Sequence, residues 1–93
     1  MNLQEIIRDI HGLDAALEKL EQRYGILSED FYHLYKAGEI EQTRDFIEWV
    51  GYYEAKLDRI TRYRGMMYDY LRELRQSEGI DPLRLSPQTA GAS

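Results

Sequence analysis

The sequence predicts an all-α protein in which two long antiparallel helices form a hairpin, a short helix bridges them, and further copies complete a bundle. Three observations lead to this fold class: a heptad pattern in the first helix, helix-capping residues and glycines at the breaks, and an uninterrupted periodic segment up to about residue 77. A chain of 93 residues makes one domain at most. We assign residues 1–78 to this domain and residues 79–93, which hold both prolines, to a mostly disordered tail.

The first helix is predicted from about residue 2 to about residue 24. Two sets of apolar residues recur every seven positions, offset by three: Leu3, Ile10, Leu17 and Tyr24, and Ile6, Leu13, Leu20 and Leu27. Asn2 is suited to cap the start, and Gly25 stands where a left-handed cap would end the helix. The narrow apolar seam favours a long helical partner.

A short second helix is predicted over about residues 29–37. Ser28 is placed to accept hydrogen bonds from its first amides, and Gly38 is placed to end it. One side carries an i, i+3, i+4 stripe formed by Phe31, Leu34 and Tyr35. This stripe indicates that the helix crosses the junction of the two long helices.

The third helix is predicted to begin at Asp45, with Glu48 completing a capping box, and to continue to about Ser77. Its expected seam consists of Phe46, Val50, Tyr53, Leu57, Ile60, Arg64, Met67, Leu71 and Leu74. Arg64 stands where an apolar residue would fit, so a carboxylate or carbonyl partner is expected for it.

Apolar residues are left over beside this seam, at Trp49, Tyr52, Tyr63, Met66 and Tyr70. Because one hairpin cannot cover both sets, the sequence predicts a homodimer or higher oligomer, or a different protein partner. The predicted partner interface is Tyr52, Tyr63, Arg64, Met66, Met67 and Tyr70. A separate structural aromatic cluster is predicted from Phe31, Tyr35, Phe46, Trp49 and Tyr53. Gly51 and Gly65, fourteen residues apart on one helix face, favour close approach by another backbone over chance.

Composition and spacing argue against several kinds of site. The chain has no cysteine, and neither His11 nor His33 has a metal-ligand or catalytic spacing to other residues. We therefore expect no catalytic residue, no metal site and no bound cofactor. The absence of an apolar N-terminal run argues against a signal peptide or a membrane span, and predicts a cytoplasmic protein.

Nucleic-acid binding is a weaker possibility. Residues 59–75 mix arginines with tyrosines, a combination that can contact phosphates and stack on bases. The net charge of −5 and the interspersed acids oppose this interpretation. The favoured interpretation is that Asp58, Asp69 and Glu73 reduce the positive field and that Arg62, Asp69 and Glu73 can pair along the helix.

Residues 20–60 resemble a group of small acidic helical proteins of bacteria and archaea. The matching positions are Tyr24-Gly25, Ser28 with Phe31, Gly38-Glu39, Asp45-Phe46 and Glu48-Trp49. Such proteins look like antitoxin-like partners of small toxin-like proteins, so the resemblance implies neutralisation by protein contact without catalysis. This chain departs from them in its longer, Arg/Tyr-rich third helix and in its tail.

Three functions follow as hypotheses. The first is an antitoxin-like protein-binding module whose partner is a small toxin-like protein. The alternatives are a structural homo-oligomer with no neutralising role and a weak nucleic-acid-binding protein that uses the third helix.

Overall fold

Three helices make up the regular structure in the described part of the chain. The computed structural model describes residues 1–78 and 82–87. The helices are α1 (Leu3–Tyr24), α2 (Ser28–Lys36) and α3 (Arg44–Glu78). α1 packs antiparallel against α3 as a hairpin, α2 lies against α3, and the molecule measures 53 × 32 × 22 Å. The predicted all-α class and hairpin are confirmed.

Local signals set both ends of α1. The Asn2 side chain accepts from the Glu5 amide, and the Glu5 carboxylate accepts from the Asn2 amide, which satisfies two otherwise free donors. At the other end Gly25 adopts a left-handed φ of 71°, and its amide donates to the carbonyl of Glu21. Both caps agree with the sequence.

Ser28 does not cap α2, contrary to prediction. Leu27 is the N-cap residue and makes no side-chain capping bond, while Ser28 is the first helical residue. The Ser28 hydroxyl is used elsewhere, because it donates to Glu21 and accepts from Trp49. Tertiary contacts with the two long helices have replaced the cap. Gly38, with φ of 72°, follows the end of α2 as expected.

The predicted start of α3 at Asp45 was also wrong. Thr43 takes the capping role, since its hydroxyl accepts from the Phe46 amide at 3.1 Å and its carbonyl from the Ile47 amide at 2.9 Å. Asp45 instead binds the end of α1, and Glu48 pairs with Arg44 at 3.5 Å rather than with a capping amide. Both Thr43 and Asp45 are good capping types, and the contact with α1 decides between them.

The core lies where the three helices meet. Leu17 and Leu20 of α1, Phe31 of α2, and Trp49 and Val50 of α3 form one buried cluster. Trp49 is fully buried, at 0% exposure. Because burying such a side chain stabilises by about 1.5–3 kcal/mol, this junction holds a large part of the folding energy.

The hairpin has a simple antiparallel register. Asp14 pairs with Lys56 at 2.7 Å, and the rings of Tyr24 and Phe46 lie 5.1 Å apart, so paired residue numbers sum to 70 (14 + 56, 24 + 46). Leu3 is therefore level with about residue 67. About ten residues of α3, roughly 15 Å, project beyond the start of α1.

The predicted seam of α3 is buried or half-buried at seven of its nine positions and is wrong at the other two. Leu57 is 41% exposed and Arg64 is exposed, although both were expected inside. Lys56 and Tyr63, one position earlier in each case, are half-buried instead. Lys56 is tolerated there because the Asp14 carboxylate of α1 neutralises it.

The predicted tail falls mostly outside the described residues, at 79–81 and 88–93. Residues 82–87 have no regular secondary structure, and Leu83 among them is half-buried. Within the described ranges, no helix is both long enough and apolar enough to cross a bilayer.

Candidate functional site

The aromatic cluster at the helix junction is a packed core. Phe31 and Trp49 stack with ring centroids 3.9 Å apart and planes 6° from parallel, and Phe46 meets Phe31 edge-on at 5.2 Å. Tyr35 and Tyr53 pack around it and are half-buried. The five residues expected in this cluster lie together, and their rings fill the space that a ligand would need.

Ser28 connects the three helices at the base of this cluster. Its hydroxyl donates to Glu21 Oε2 at 2.6 Å and accepts from Trp49 Nε1 at 2.8 Å. The Ser28 amide donates to the same Glu21 oxygen at 2.8 Å. Ser28 is only 3% exposed, so every bond here replaces one to water. Beyond its position beside the seam of α1, nothing in the sequence indicated this role for Glu21.

Two tyrosines donate hydrogen bonds to carboxylates of α3. Tyr24 donates to Asp45 at 2.5 Å and Tyr32 donates to Glu54 at 2.8 Å, and each bond raises the pKa of the tyrosine. Hydrogen bonds from Tyr24 and Arg23 lower the pKa of Asp45. The shifts of Tyr24, Tyr32 and Asp45 move each pKa away from neutral pH, which is opposite to the tuning that acid–base catalysis requires.

A groove lies between α1 and α3, formed by two adjoining cavities of about 390 and 620 Å³ that share Ile7. We call it the open groove. It is lined by Leu3, Gln4, Ile7, Ile10 and His11 of α1, by Ile60, Tyr63, Arg64, Met67, Tyr70 and Leu74 of α3, and by Arg84, Leu85 and Ser86.

The open groove lies on the same apolar stripe of α3 that α2 packs against. Phe46, Tyr53, Ile60, Met67 and Leu74 recur every seven residues and so form one stripe along α3. The first two contact α2, with Phe46 5.2 Å from Phe31 and Tyr53 4.9 Å from Tyr32, whereas the last three line the open groove. The contacts of α2 thus fall on the first part of the stripe, which leaves the part from Ile60 to Leu74 without cover from α2.

Exposed apolar side chains mark the uncovered part. Ile7 on α1 is 37% exposed and Tyr70 on α3 is 41% exposed. Leu57 lies seven residues before Arg64, on the same side of α3, and is 41% exposed. Contiguous exposure of this kind is typical of a surface that another molecule covers.

The residues predicted as a partner interface divide between surfaces. Tyr63, Arg64, Met67 and Tyr70 line the open groove. Met66 lines a cavity of about 580 Å³ on the other side of the hairpin, with Ile6 and Gly65. Tyr52, 37% exposed, belongs to neither surface. The structure thus gathers four of the six, and their contact with a partner stays a prediction.

Most arginines of the Arg/Tyr-rich segment are engaged in ion pairs. Arg59 binds Asp9 at 3.2 Å and Asp58 at 2.6 Å, which raises its pKa, and Arg62 shares Asp58 at 3.1 Å. Arg72 pairs with Asp69 at 3.1 Å. Arg64 has no ion-pair partner among the described residues. Pairing weakens the positive field that a phosphate backbone would require.

Gly51 and Gly65 are open in the single chain. A Cβ atom built on either would meet no described atom within 4 Å beyond its own helix surroundings. The close backbone approach expected at these glycines is therefore not made within the hairpin. Over the described ranges, no group of three or more His, Cys, Asp or Glu residues is arranged to hold a metal ion.

Comparison of the chain with protein-family models, with curated proteins and with solved structures gives no match.

Proposed function

We propose that the chain is a non-enzymatic protein-binding module, and that it is the antitoxin-like partner of a small toxin-like protein. One observation carries the binding role: the apolar stripe of α3 continues for about 21 Å, from Ile60 to Leu74, beyond the part that α2 covers. The toxin-like identity of the partner rests on the resemblance of residues 20–60.

The open groove has the composition of a protein-binding surface. Tyrosine and methionine are enriched at interfaces, and the groove contains Tyr63, Met67 and Tyr70 between aliphatic residues. Two tyrosines offer large apolar area and a hydroxyl that can bond to a partner. The folded junction at Trp49 is remote from these residues, so partner binding and folding can be tested separately.

The test first asks whether a small protein is encoded beside the gene, since its absence would favour the structural homo-oligomer instead. Where one is encoded, the two are co-expressed and the mass of any complex is measured by light scattering. Tyr63→Ala combined with Tyr70→Ala should weaken the complex by at least about thirtyfold per residue, since hot-spot truncations cost about 2 kcal/mol or more. Circular dichroism should show nearly unchanged helix content. Tyr68→Ala is the matched control, because Tyr68 is 66% exposed and lies outside the open groove.

Trp49→Ala is the contrasting variant and should damage the fold itself, by about 3–5 kcal/mol. Equal loss of helix in the tyrosine double variant and in Trp49→Ala would show that the tyrosines belong to the core and would refute the proposed interface. A wild-type chain that forms no complex with the neighbouring protein would refute the antitoxin-like role.

Self-association is the second candidate, and the projecting end of α3 favours it. Tyr70, Leu71 and Leu74 lie beyond the start of α1, and an antiparallel second copy would cover them. Sedimentation should then give a multiple of the 11.0 kDa chain mass at tens of micromolar. A well-folded monomer at that concentration would eliminate this candidate.

A further inference from the structure

We propose that the open groove binds an acidic amphipathic helix of another protein, with a carboxylate of that helix paired to Arg64. This inference rests on the proposed protein-binding role and specifies the chemistry of the partner. It follows from the shape of the groove, from the charges that line it, and from the unfavourable contact that a second copy would make.

The apolar stripe that lines the groove is a surface on which a helix can pack, because α2 already packs on its first part. α2 lies against Phe46 and Tyr53, and the same stripe then continues through Ile60, Met67 and Leu74. An occupant with apolar residues at i, i+3, i+4 and i+7 would bury this stripe as α2 buries its beginning. About 14 residues of helix would span the 21 Å from Ile60 to Leu74.

The charge of the groove is opposite to that of the chain. The whole sequence has 17 acidic and 12 basic residues. The described groove lining nevertheless contains Arg64, Arg84 and His11 and no aspartate or glutamate. An apolar groove whose guanidinium groups form no ion pair with any described acid favours an apolar helix that also carries carboxylates.

A second copy of the chain fits this charge distribution poorly. A two-fold dimer formed groove to groove would apply the same basic lining to both sides of the interface. The two Arg64 side chains would then face like charges as water is removed, which is unfavourable. The occupant that the electrostatics favour is therefore a different, acidic helix.

Fluorescence anisotropy with synthetic helical peptides tests the proposal on the full chain. Three labelled amphipathic 18-residue peptides share one apolar stripe and differ only in a central residue, which is glutamate, glutamine or lysine. The wild-type chain should bind the glutamate peptide about fivefold or more tightly than the lysine peptide. Fivefold in affinity corresponds to about 1 kcal/mol, the upper end of the free energy that an exposed ion pair contributes. Arg64→Glu should reverse the order.

Arg62→Glu provides the matched control. It changes the net charge by the same amount, but Arg62 lies on the other side of the hairpin and pairs with Asp58. The order of the peptides should survive this change. An equal response to Arg62→Glu would show a general charge effect and overturn the proposal.

Other outcomes also decide the matter. Binding of no peptide, or binding that withstands Tyr63→Ala with Tyr70→Ala, would mean that the groove does not receive a helix. A wild-type homodimer that the tyrosine double variant dissociates would identify a second copy as the occupant and overturn the proposal.

If the neighbour-encoded protein binds equally well to Arg64→Glu, the protein-binding role stands and this inference fails. If the peptides show the expected reversal and that protein does not bind, the acidic-helix inference stands and the antitoxin-like role fails.

Discussion

Replacing Ser28 with alanine should destabilise the fold far more than the loss of one hydroxyl normally does. The substitution leaves the buried indole N–H of Trp49 without its acceptor, which costs about 1–3 kcal/mol. It also removes the hydrogen bond from the Ser28 hydroxyl to the Glu21 carboxylate. We assign this bond about 1.5 kcal/mol, the low end for a charged acceptor, because the Ser28 amide still donates to the same oxygen. The expected total is about 2.5–4.5 kcal/mol.

That loss is a large share of the stability that a domain of this size possesses. At about 0.05–0.15 kcal/mol per residue, a helical region of 78 residues is stable by about 4–12 kcal/mol. Urea titrations followed by circular dichroism would measure the change. Ser77→Ala, at an exposed position on α3, should stay within about 0.5 kcal/mol of the wild type.

A double-mutant cycle with Trp49→Phe isolates the indole bond. Phenylalanine retains an aromatic ring against Phe31 but has no N–H donor, so Ser28→Ala in that background should cost only about 1.5 kcal/mol, the Glu21 term. The coupling between the two positions should be about 1–3 kcal/mol. A coupling below about 0.5 kcal/mol would refute the reasoning that this buried bond holds the helices together.

Two further predictions concern Asp45 and the helical glycines. Since its folded pKa lies below the ordinary 3.8, Asp45 contributes stability that is fully present above that value and is lost as pH falls through the folded pKa. Asp45→Asn should therefore lower the urea midpoint at pH 7, and the difference from the wild type should shrink below about pH 4; a constant difference down to pH 2 would contradict this. Gly12→Ala and Gly51→Ala should each stabilise by about 1 kcal/mol in thermal unfolding, because both sites are helical and open, and a loss of stability at either would reveal a contact that the single chain does not show.

Local sequence signals placed α1 and the end of α2 correctly. The capping box of Asn2 with Glu5 and the left-handed Gly25 depend only on residues a few positions apart. Gly38 likewise follows the end of α2 without help from the rest of the chain. Heptad spacing was enough to predict that α1 packs along one long partner.

Errors arose where a polar side chain had two possible uses. Ser28 and Asp45 are good capping residues, but Ser28 binds Glu21 and Trp49, and Asp45 binds the end of α1. The predicted seam of α3 was wrong at Leu57 and Arg64, which are exposed, while Lys56 and Tyr63 beside them are half-buried. Apolar periodicity alone does not predict a half-buried lysine such as Lys56. Only the antiparallel register brings Asp14 beside it.

By itself, the sequence determined the helical class, the ends set by short-range caps, and the amphipathic faces, because these depend on backbone hydrogen bonding and on periodicities of a few residues. The tertiary structure decided which side chains of α3 are buried against α1 and which partners Ser28 and Asp45 bind. It also decided how much of the apolar stripe of α3 is covered by α2. It also placed Arg64 in an apolar groove whose described lining has no acid. Each of these depends on which side chains from distant segments meet, and that is fixed by the antiparallel register of α1 and α3 and by the crossing of α2.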